Sequence, residues 1–347
     1  MSTETSEDQA DSHWEDFFSE VHAPDNYEES LKKVRALIAE AHETSSRVVL
    51  VTSGGTTVPL EQFTVRFVDN FSSGTRGSTS AEFFFEHNYK IIFLYRQKSL
   101  QPFLRHVPNA LDVIEVDGPC KVKVKCSEMS RLHQLLVQYQ SFSKTCLEIT
   151  YVTLGDYLWL LKGISKELNS LSSRALLYLA AAVSDFYIPK KEMPEHKMQS
   201  DKQPAGMVFS LVPKMLRPLA SKWAPNAFII SFKLETDRDL LLPKAKAALE
   251  KYKHHMVVAN LLTSRKSFVM VVECDDIVKE IHNPDASKEI EQMIVEHIIL
   301  LGLSTFYPCS LVPHLEYSCR RKHSFGQIRL QMKHFALANS DLEVVQL

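Results

Sequence analysis

Six short apolar runs recur along the chain, at 47–52, 90–95, 176–183, 228–232, 256–260 and 267–272, several of them without polar alternation. A strand with one wet face must alternate. Runs such as Lys90-Ile91-Ile92-Phe93-Leu94-Tyr95 therefore predict strands covered on both faces, as in a parallel sheet. Helical patterns over 76–88, 153–168, 212–222 and 238–253 alternate with the runs, and Leu31, Val34, Leu37 and Ile38 predict an amphipathic helix ahead of the first strand. This order predicts an α/β fold: a doubly wound, mostly parallel sheet with helices on both faces. Ligands of such folds gather at the C-terminal ends of the strands.

The main body is expected over 28–303, interrupted at about 97–150 by an insertion holding a helix (Leu132, Leu135, Leu136, Tyr139) and a further strand at 146–152. Residues 1–27, acidic and polar with isolated aromatics at Trp14, Phe17 and Phe18, are expected to form a flexible N-terminal arm. Residues 304–347 change character, with Pro308, Pro313 and the basic run Arg320-Arg321-Lys322-His323. They are read as a divergent tail whose charges face solvent.

The formal charge is −2, from 40 basic and 42 acidic residues, which supplies no bulk attraction to nucleic acid or anionic lipid. Anion recognition must then be local. No apolar run approaches the roughly 18 residues of a membrane span, and the start of the chain does not read as an export signal, so no membrane partner and a cytoplasmic location are expected. Six cysteines lie scattered without a Cys-x-x-Cys pair, as expected of reduced thiols rather than a zinc cluster.

Of ten glycines in 347 residues, Gly54, Gly55, Gly74 and Gly77 fall within one short region. Ser53-Gly54-Gly55-Thr56-Thr57 follows the first strand, and Asp69-Asn70-Phe71-Ser72-Ser73-Gly74-Thr75-Arg76-Gly77 leads into a helix. Strand, glycine turn and helix N-terminus together offer unpaired amides and the positive end of a dipole to a phosphate. A tight structural turn would use Gly54 and Gly55 equally well. The second segment favours recognition, because Asn70, Ser72, Ser73, Gly74 and Arg76 concentrate amide, hydroxyl, backbone and guanidinium donors at one helix entrance.

Beyond the strand expected to end near Val183, the small residues Ala180, Ala181 and Ala182 leave backbone accessible, and Asp185 is placed either to hold a ligand hydroxyl, a metal-bound water or an ammonium group, or to cap a helix. The loop around Met193-Pro194-Glu195-His196-Lys197 puts Lys197 where it can close over a polyphosphate. Phe232 reads as a wall for a base or as core. Lys244 and Lys246 follow on a helix, either reaching phosphate or facing solvent. His196 and His254-His255 match no zinc spacing, and no nucleophile elbow, phosphate-binding loop or dinucleotide fingerprint is present.

Taken in order, Val51-Thr52-Ser53-Gly54-Gly55-Thr56-Thr57-Val58-Pro59-Leu60, Arg66-Phe67-Val68-Asp69-Asn70-Phe71-Ser72-Ser73-Gly74, Leu179-Ala180-Ala181-Ala182-Val183-Ser184-Asp185-Phe186, Met193-Pro194-Glu195-His196-Lys197-Met198-Gln199-Ser200 and Phe232-Lys233-Leu234-Glu235-Thr236 resemble the eukaryotic phosphopantothenoylcysteine synthetases (phosphopantothenate–cysteine ligases) over about residues 28–300. The resemblance implies a Rossmann-like fold, a homodimer, and a role in coenzyme A biosynthesis. The implied reaction joins 4'-phosphopantothenate to L-cysteine through an acyl-nucleotide, with Mg²⁺ and with ATP as co-substrate, CTP being the alternative. It further implies that Asn70 and Lys197 are catalytic. Gly54, Gly55, Ser72, Ser73, Gly74, Ala181, Asp185, Phe232 and Lys246 are the implied nucleotide contacts. Asn70, Ala181, Ala182 and Arg76 are the expected substrate contacts, and no metal ligand is assigned. A dinucleotide-dependent oxidoreductase and a non-catalytic nucleotide-binding scaffold are the competing readings.

Overall fold

The computed structural model describes residues 14–198, 207–274 and 277–306. The chain forms two units, Met1–Glu296 and His297–Leu347. All the strands below belong to the first. Within the described residues, the second unit contains the continuation of the final helix.

The sheet has eight strands: β1 (Val48–Ser53), β2 (Lys90–Arg96), β3 (Cys146–Tyr151), β4 (Ala175–Leu179), β5 (Phe228–Glu235), β6 (Met256–Leu261), β7 (Phe268–Glu273) and β8 (Val278–His282). Their spatial order is β8-β7-β6-β5-β4-β1-β2-β3. Strands β1 to β6 run parallel, and β7 and β8 complete one edge antiparallel. The mostly parallel α/β sheet read from the apolar runs is thus present. The chain lays β1, β2 and β3 outward in one direction, then returns to the other side of β1 to begin β4 and the remaining strands. The order reverses between β1 and β4, which opens a crevice beyond their carboxyl ends.

Every residue of β1 is buried. Val48 and Leu50 face a core shared with α2 (Tyr27–Glu43) and α5 (Leu154–Leu168). On the other face lies α3 (Thr75–Glu86), whose Phe84 packs edge-on against Tyr178 of β4 at 5.4 Å while Ser80 Oγ and the Tyr178 hydroxyl share a 2.8 Å hydrogen bond. Each such fully buried side chain contributes about 1.5–3 kcal/mol, so the sheet centre is the rigid platform under the crevice. Helix α5 starts cleanly because Thr153 and Asp156 form a reciprocal capping box.

Three expectations need correction. Strand β4 stops at Leu179 rather than continuing to Val183, because the amides of Ala181 and Ala182 turn away to Thr52 Oγ1 and the Gly54 carbonyl. The arm is not loose from Trp14 onward: α1 (Trp14–Glu20) buries Phe17 and Phe18, and Trp14, Phe18, Trp159 and Trp223 meet edge to face. Residues 1–13 lie outside the described part. The segment 97–150 holds the helix α4 (Met129–Thr145), whose Phe142 packs on Phe85 and Phe103, and leads into β3 at the sheet edge. The helix expected over 212–222 begins only at Leu216, after Pro213, and widens into a π-turn over Leu219–Trp223 behind Pro218, which has no amide to donate.

Helix α6 (Arg238–Tyr252) follows β5 as expected, and α7 (Ile290–Phe306) ends the described chain. The basic run at 320–323, with the rest of 307–347, lies outside the described residues.

Candidate active site

The crevice is assembled by backbone. Gly55 of the turn after β1 forms an isolated parallel bridge with Ala182. The Thr56 amide donates to the Ala182 carbonyl at 3.0 Å, and the Ala182 amide donates to the Gly54 carbonyl at 2.8 Å. Two threonines complete the seam: Thr52 Oγ1 accepts the Ala181 amide at 3.1 Å and Thr56 Oγ1 accepts the Ser184 amide at 3.0 Å. A hairpin of Thr57–Pro59 and Phe67–Asp69 then brings Asn70 onto the same turn, its amide bonded to the Thr56 carbonyl at 3.1 Å. Gly54, Gly55, Asn70, Ala181 and Ala182, expected together, are together.

Ser72, Ser73 and Gly74 adjoin them at the entrance to α3. Gly74 caps this helix with φ +83°, a conformation that favours glycine, and it supplies no side chain to satisfy the first helical amides. Those amides and the helix dipole suit an anion. Ser53 Oγ donates to the Gly74 carbonyl at 3.0 Å, tying the helix entrance to the end of β1. Ser72 Oγ accepts the Gly74 amide at 3.4 Å, Ser73 Oγ lies 3.0 Å from Thr75 Oγ1, and the Leu100 amide donates to the Ser73 carbonyl.

Phe232 is half-buried on β5. Ser231 pairs with Leu179, so Phe232 stands level with the start of the alanine segment, edge-on to Tyr178 at 4.8 Å. Asp185 lies just beyond that segment, exposed, accepting Lys214 Nζ at 2.9 Å. Lys246 stands half-buried about two turns into α6. Lys244 pairs with Glu235 instead, at 2.9 Å.

Lys197 belongs to a segment, residues 190–198, that lies along the tip of the Asn70 hairpin. The Gln62 and Phe63 amides donate to the Pro194 and Glu195 carbonyls at 2.8 and 3.1 Å, and the rings of Phe63 and His196 stack at 5.5 Å. Residues 199 and 200 of the same motif lie outside the described part.

Arg76, expected as a substrate contact, reaches away from the glycine turn. Its guanidinium donates to Glu291 on α7 at 2.9 Å and to the Arg265 carbonyl at 2.7 Å, so it anchors α3 to distant chain. Sequence reasoning also passed over Asp69 and Arg96. Asp69 accepts from Thr57 Oγ1 at 2.7 Å and pairs with Arg96 at the carboxyl end of β2, which locks the hairpin beside the glycine turn. Arg96's place at a strand end was the available signal.

The acids at this edge are matched by cations, Asp69 by Arg96, Asp185 by Lys214, Glu235 by Lys233 and Lys244. Unpaired carboxylates would repel a polyphosphate. Beneath the turn, Tyr151 donates to the Ser53 carbonyl at 2.8 Å. Burial raises its phenol well above the ordinary range and pushes Tyr157 up to about 12 against a hydrogen bond with Thr52, so both rings support the turn as neutral groups.

Residues 164–299 match the family model described as DNA/pantothenate metabolism flavoprotein C-terminal domain. The chain is 46% identical over 264 residues to a human phosphopantothenate–cysteine ligase, covering 73% of this chain and 85% of that one. It is 38% identical over 310 residues to phosphopantothenate–cysteine ligase CAB2 of Saccharomyces cerevisiae, covering 82% and 84%. The chain belongs to the phosphopantothenate–cysteine ligase family. A solved structure of a Cab2 mutant in complex with phosphopantothenate-cysteine superposes on this ligase-family chain with a TM-score of 0.77 at 38% identity, covering 83% of this chain and 97% of that one. The chain is accordingly a ligase. The superposed fold is the mostly parallel α/β sheet described above.

Proposed function

We propose that this ligase joins the carboxylate of 4'-phosphopantothenate to the amine of L-cysteine, driven by ATP, in coenzyme A biosynthesis. The carboxylate oxygen attacks the α-phosphorus, the bond to the bridging oxygen breaks, and pyrophosphate leaves. Cysteine's neutral amine then attacks the activated carbonyl carbon, the bond to the phosphate oxygen breaks, AMP departs and the nitrogen loses its proton. No protein nucleophile is needed. Alignment and countercharge supply the rate.

The observation that carries this reading is the packing of Asn70 onto Gly55, with Ala182 bonded to the same turn and Ala181 to Thr52 at the end of β1. In the proposal Asn70 donates to the acyl oxygen. The glycine turn and the α3 entrance hold the phosphates, Phe232 walls the base, and Lys197 counters charge on the departing phosphate. Asp185 and Lys246 complete the nucleotide contacts, with Asp185 exchanging its Lys214 partner for the ribose. Arg76, engaged by Glu291, is left out.

Among the described residues no group of three His, Cys, Asp or Glu side chains is arranged to hold a metal. Asp69 is paired with Arg96, and Asp185 is assigned to the ribose. These residues do not fit a protein-held Mg²⁺, so any such ion belongs to the triphosphate and no step is assigned to it. A homodimer is part of the proposal: Phe63, Val65, Phe67, Val68 and Phe71 are all exposed along the hairpin, Phe71 at 95%, and a second copy would cover them.

The purified chain mixed with ATP, Mg²⁺, phosphopantothenate and cysteine should release AMP and pyrophosphate with both substrates present. Tight ATP binding without either product would overturn the reading in favour of a scaffold. Replacing ATP by CTP measures the base preference, and light scattering gives the mass of the assembly.

A further inference from the structure

The turn 61–66 is built the wrong way round for a surface turn. Gln62, Phe63, Thr64 and Val65 are exposed, Phe63 at 63%, while the carboxylate of Glu61 is completely buried. Buried acids are rare unless something holds their charge. Here Oε2 accepts the Arg66 amide at 2.9 Å and the Val65 amide at 3.3 Å, and Arg66 Nε stands 3.8 Å from Oε1. Burial alone would raise the carboxyl's pKa, but the Arg66, Val65 and Met198 amides and the Arg66 charge hold it below the usual range. The Leu60 amide closes the turn on the Arg66 carbonyl at 3.0 Å.

Drawing the Val65 and Arg66 amides inward leaves those of Gln62 and Phe63 facing out, where they bond to the Pro194 and Glu195 carbonyls. The Gln62 side chain adds bonds to the Lys190 and Met193 carbonyls at 3.3 and 3.2 Å, and Arg66 reaches the Met198 carbonyl at 2.6 Å. The segment on either side of Lys197 is thus held by one turn, and the strand leaving that turn is the one that delivers Asn70. An apolar residue at 61 would strand two amides and release the turn's shape.

We propose that Glu61 is a positioning residue: its carboxylate folds the 61–66 turn into a latch that sets the Lys197 segment in register with Asn70. The inference rests on the catalytic reading of Lys197 and Asn70. Glu61→Gln keeps the volume and one acceptor oxygen. In the full chain it should speed hydrogen exchange at the Gln62 and Phe63 amides by about tenfold or more. It should also lower kcat for amide formation by about tenfold with a smaller change in the KM for phosphopantothenate.

The deciding measurement is a double-mutant cycle. If Glu61 acts through Lys197, the Glu61→Gln/Lys197→Ala double variant is no slower than Lys197→Ala, within about threefold. Multiplying losses, or unchanged exchange at the two amides, overturn the proposal. Full turnover by Lys197→Ala would instead sink the catalytic reading, and the exchange data would still decide whether Glu61 holds the segment. Should Glu61→Gln fail to fold, Gln62→Ala at its exposed position carries the same cycle, with exchange read at the Phe63 amide alone.

Discussion

A methyl group on Gly55 would stand 1.8 Å from the carbonyl oxygen of Asn70 and 2.9 Å from its carbonyl carbon. The obstacle is backbone, not the end of a flexible side chain, and Asn70 is also bonded to the neighbouring Thr56 carbonyl. Gly55→Ala must therefore displace the strand that carries Asn70. We expect a variant that folds with a lowered Tm and loses about 100-fold or more in amide formation, since a misplacement of about 1 Å costs on that order. Turnover within a factor of two of the parent would show that Asn70 need not sit against Gly55.

Asn70→Ala and Lys197→Ala should each cut turnover by about 10²–10³ while leaving the Tm within a few degrees, as lost transition-state donors act on rate. The two are expected to differ in what accumulates. If Asn70 serves mainly the attack by cysteine, its variant builds up acyl-adenylate, detectable by rapid quench, whereas Lys197→Ala slows pyrophosphate release.

Lys162 Nζ lies 3.9 Å from the centre of the Phe18 ring, with Trp159 at 4.9 Å and Trp14 at 5.6 Å. Burial, the main cause, lowers its pKa, so the cation depends on these aromatic faces. Lys162→Met retains the apolar stem and removes the charge. It should weaken docking of α1 by about 0.5–2 kcal/mol, seen as faster proteolytic clipping ahead of α2. An unchanged cleavage rate would mean that the aromatic contacts hold α1 alone.

His254 is buried, its Nε2 2.8 Å from Ser231 Oγ; burial first, and then His255, hold its pKa down to about 4. Between that value and the ordinary 6.5 the unfolded chain takes up a proton and the folded chain does not. The stability is fully present above pH 6.5 and drains away as the pH falls towards 4, by about 2 kcal/mol at pH 5. Urea midpoints at pH 7 and 5 should show this drop, and His254→Gln should shrink it by about the same amount. Equal drops in both proteins would assign the acid sensitivity to other groups.

What could be read from the chain was local. The runs that became β1, β2, β5, β6 and β7 lacked alternation, which required burial on both faces, and glycine at 74 marked a turn with positive φ before a helix. Asn70 and the alanines at 181–182 entered as motif members, and the crevice that unites them was expected from the strand order. Phe17 and Phe18 misled, because isolated aromatics in an acidic stretch do not announce that Trp159 and Trp223 wait to receive them.

Sequence alone thus determined the elements and the donor types, because periodicity and backbone permissiveness are properties of neighbouring residues. Tertiary structure decided how each donor is used. Arg76 was spent on Glu291, 215 positions away, Glu61 was drawn inside a surface turn, and β4 was cut short by amides that found Thr52 and Gly54. Charges and amides take whichever partner the fold brings within about 3 Å, and that distance is unrelated to separation along the chain.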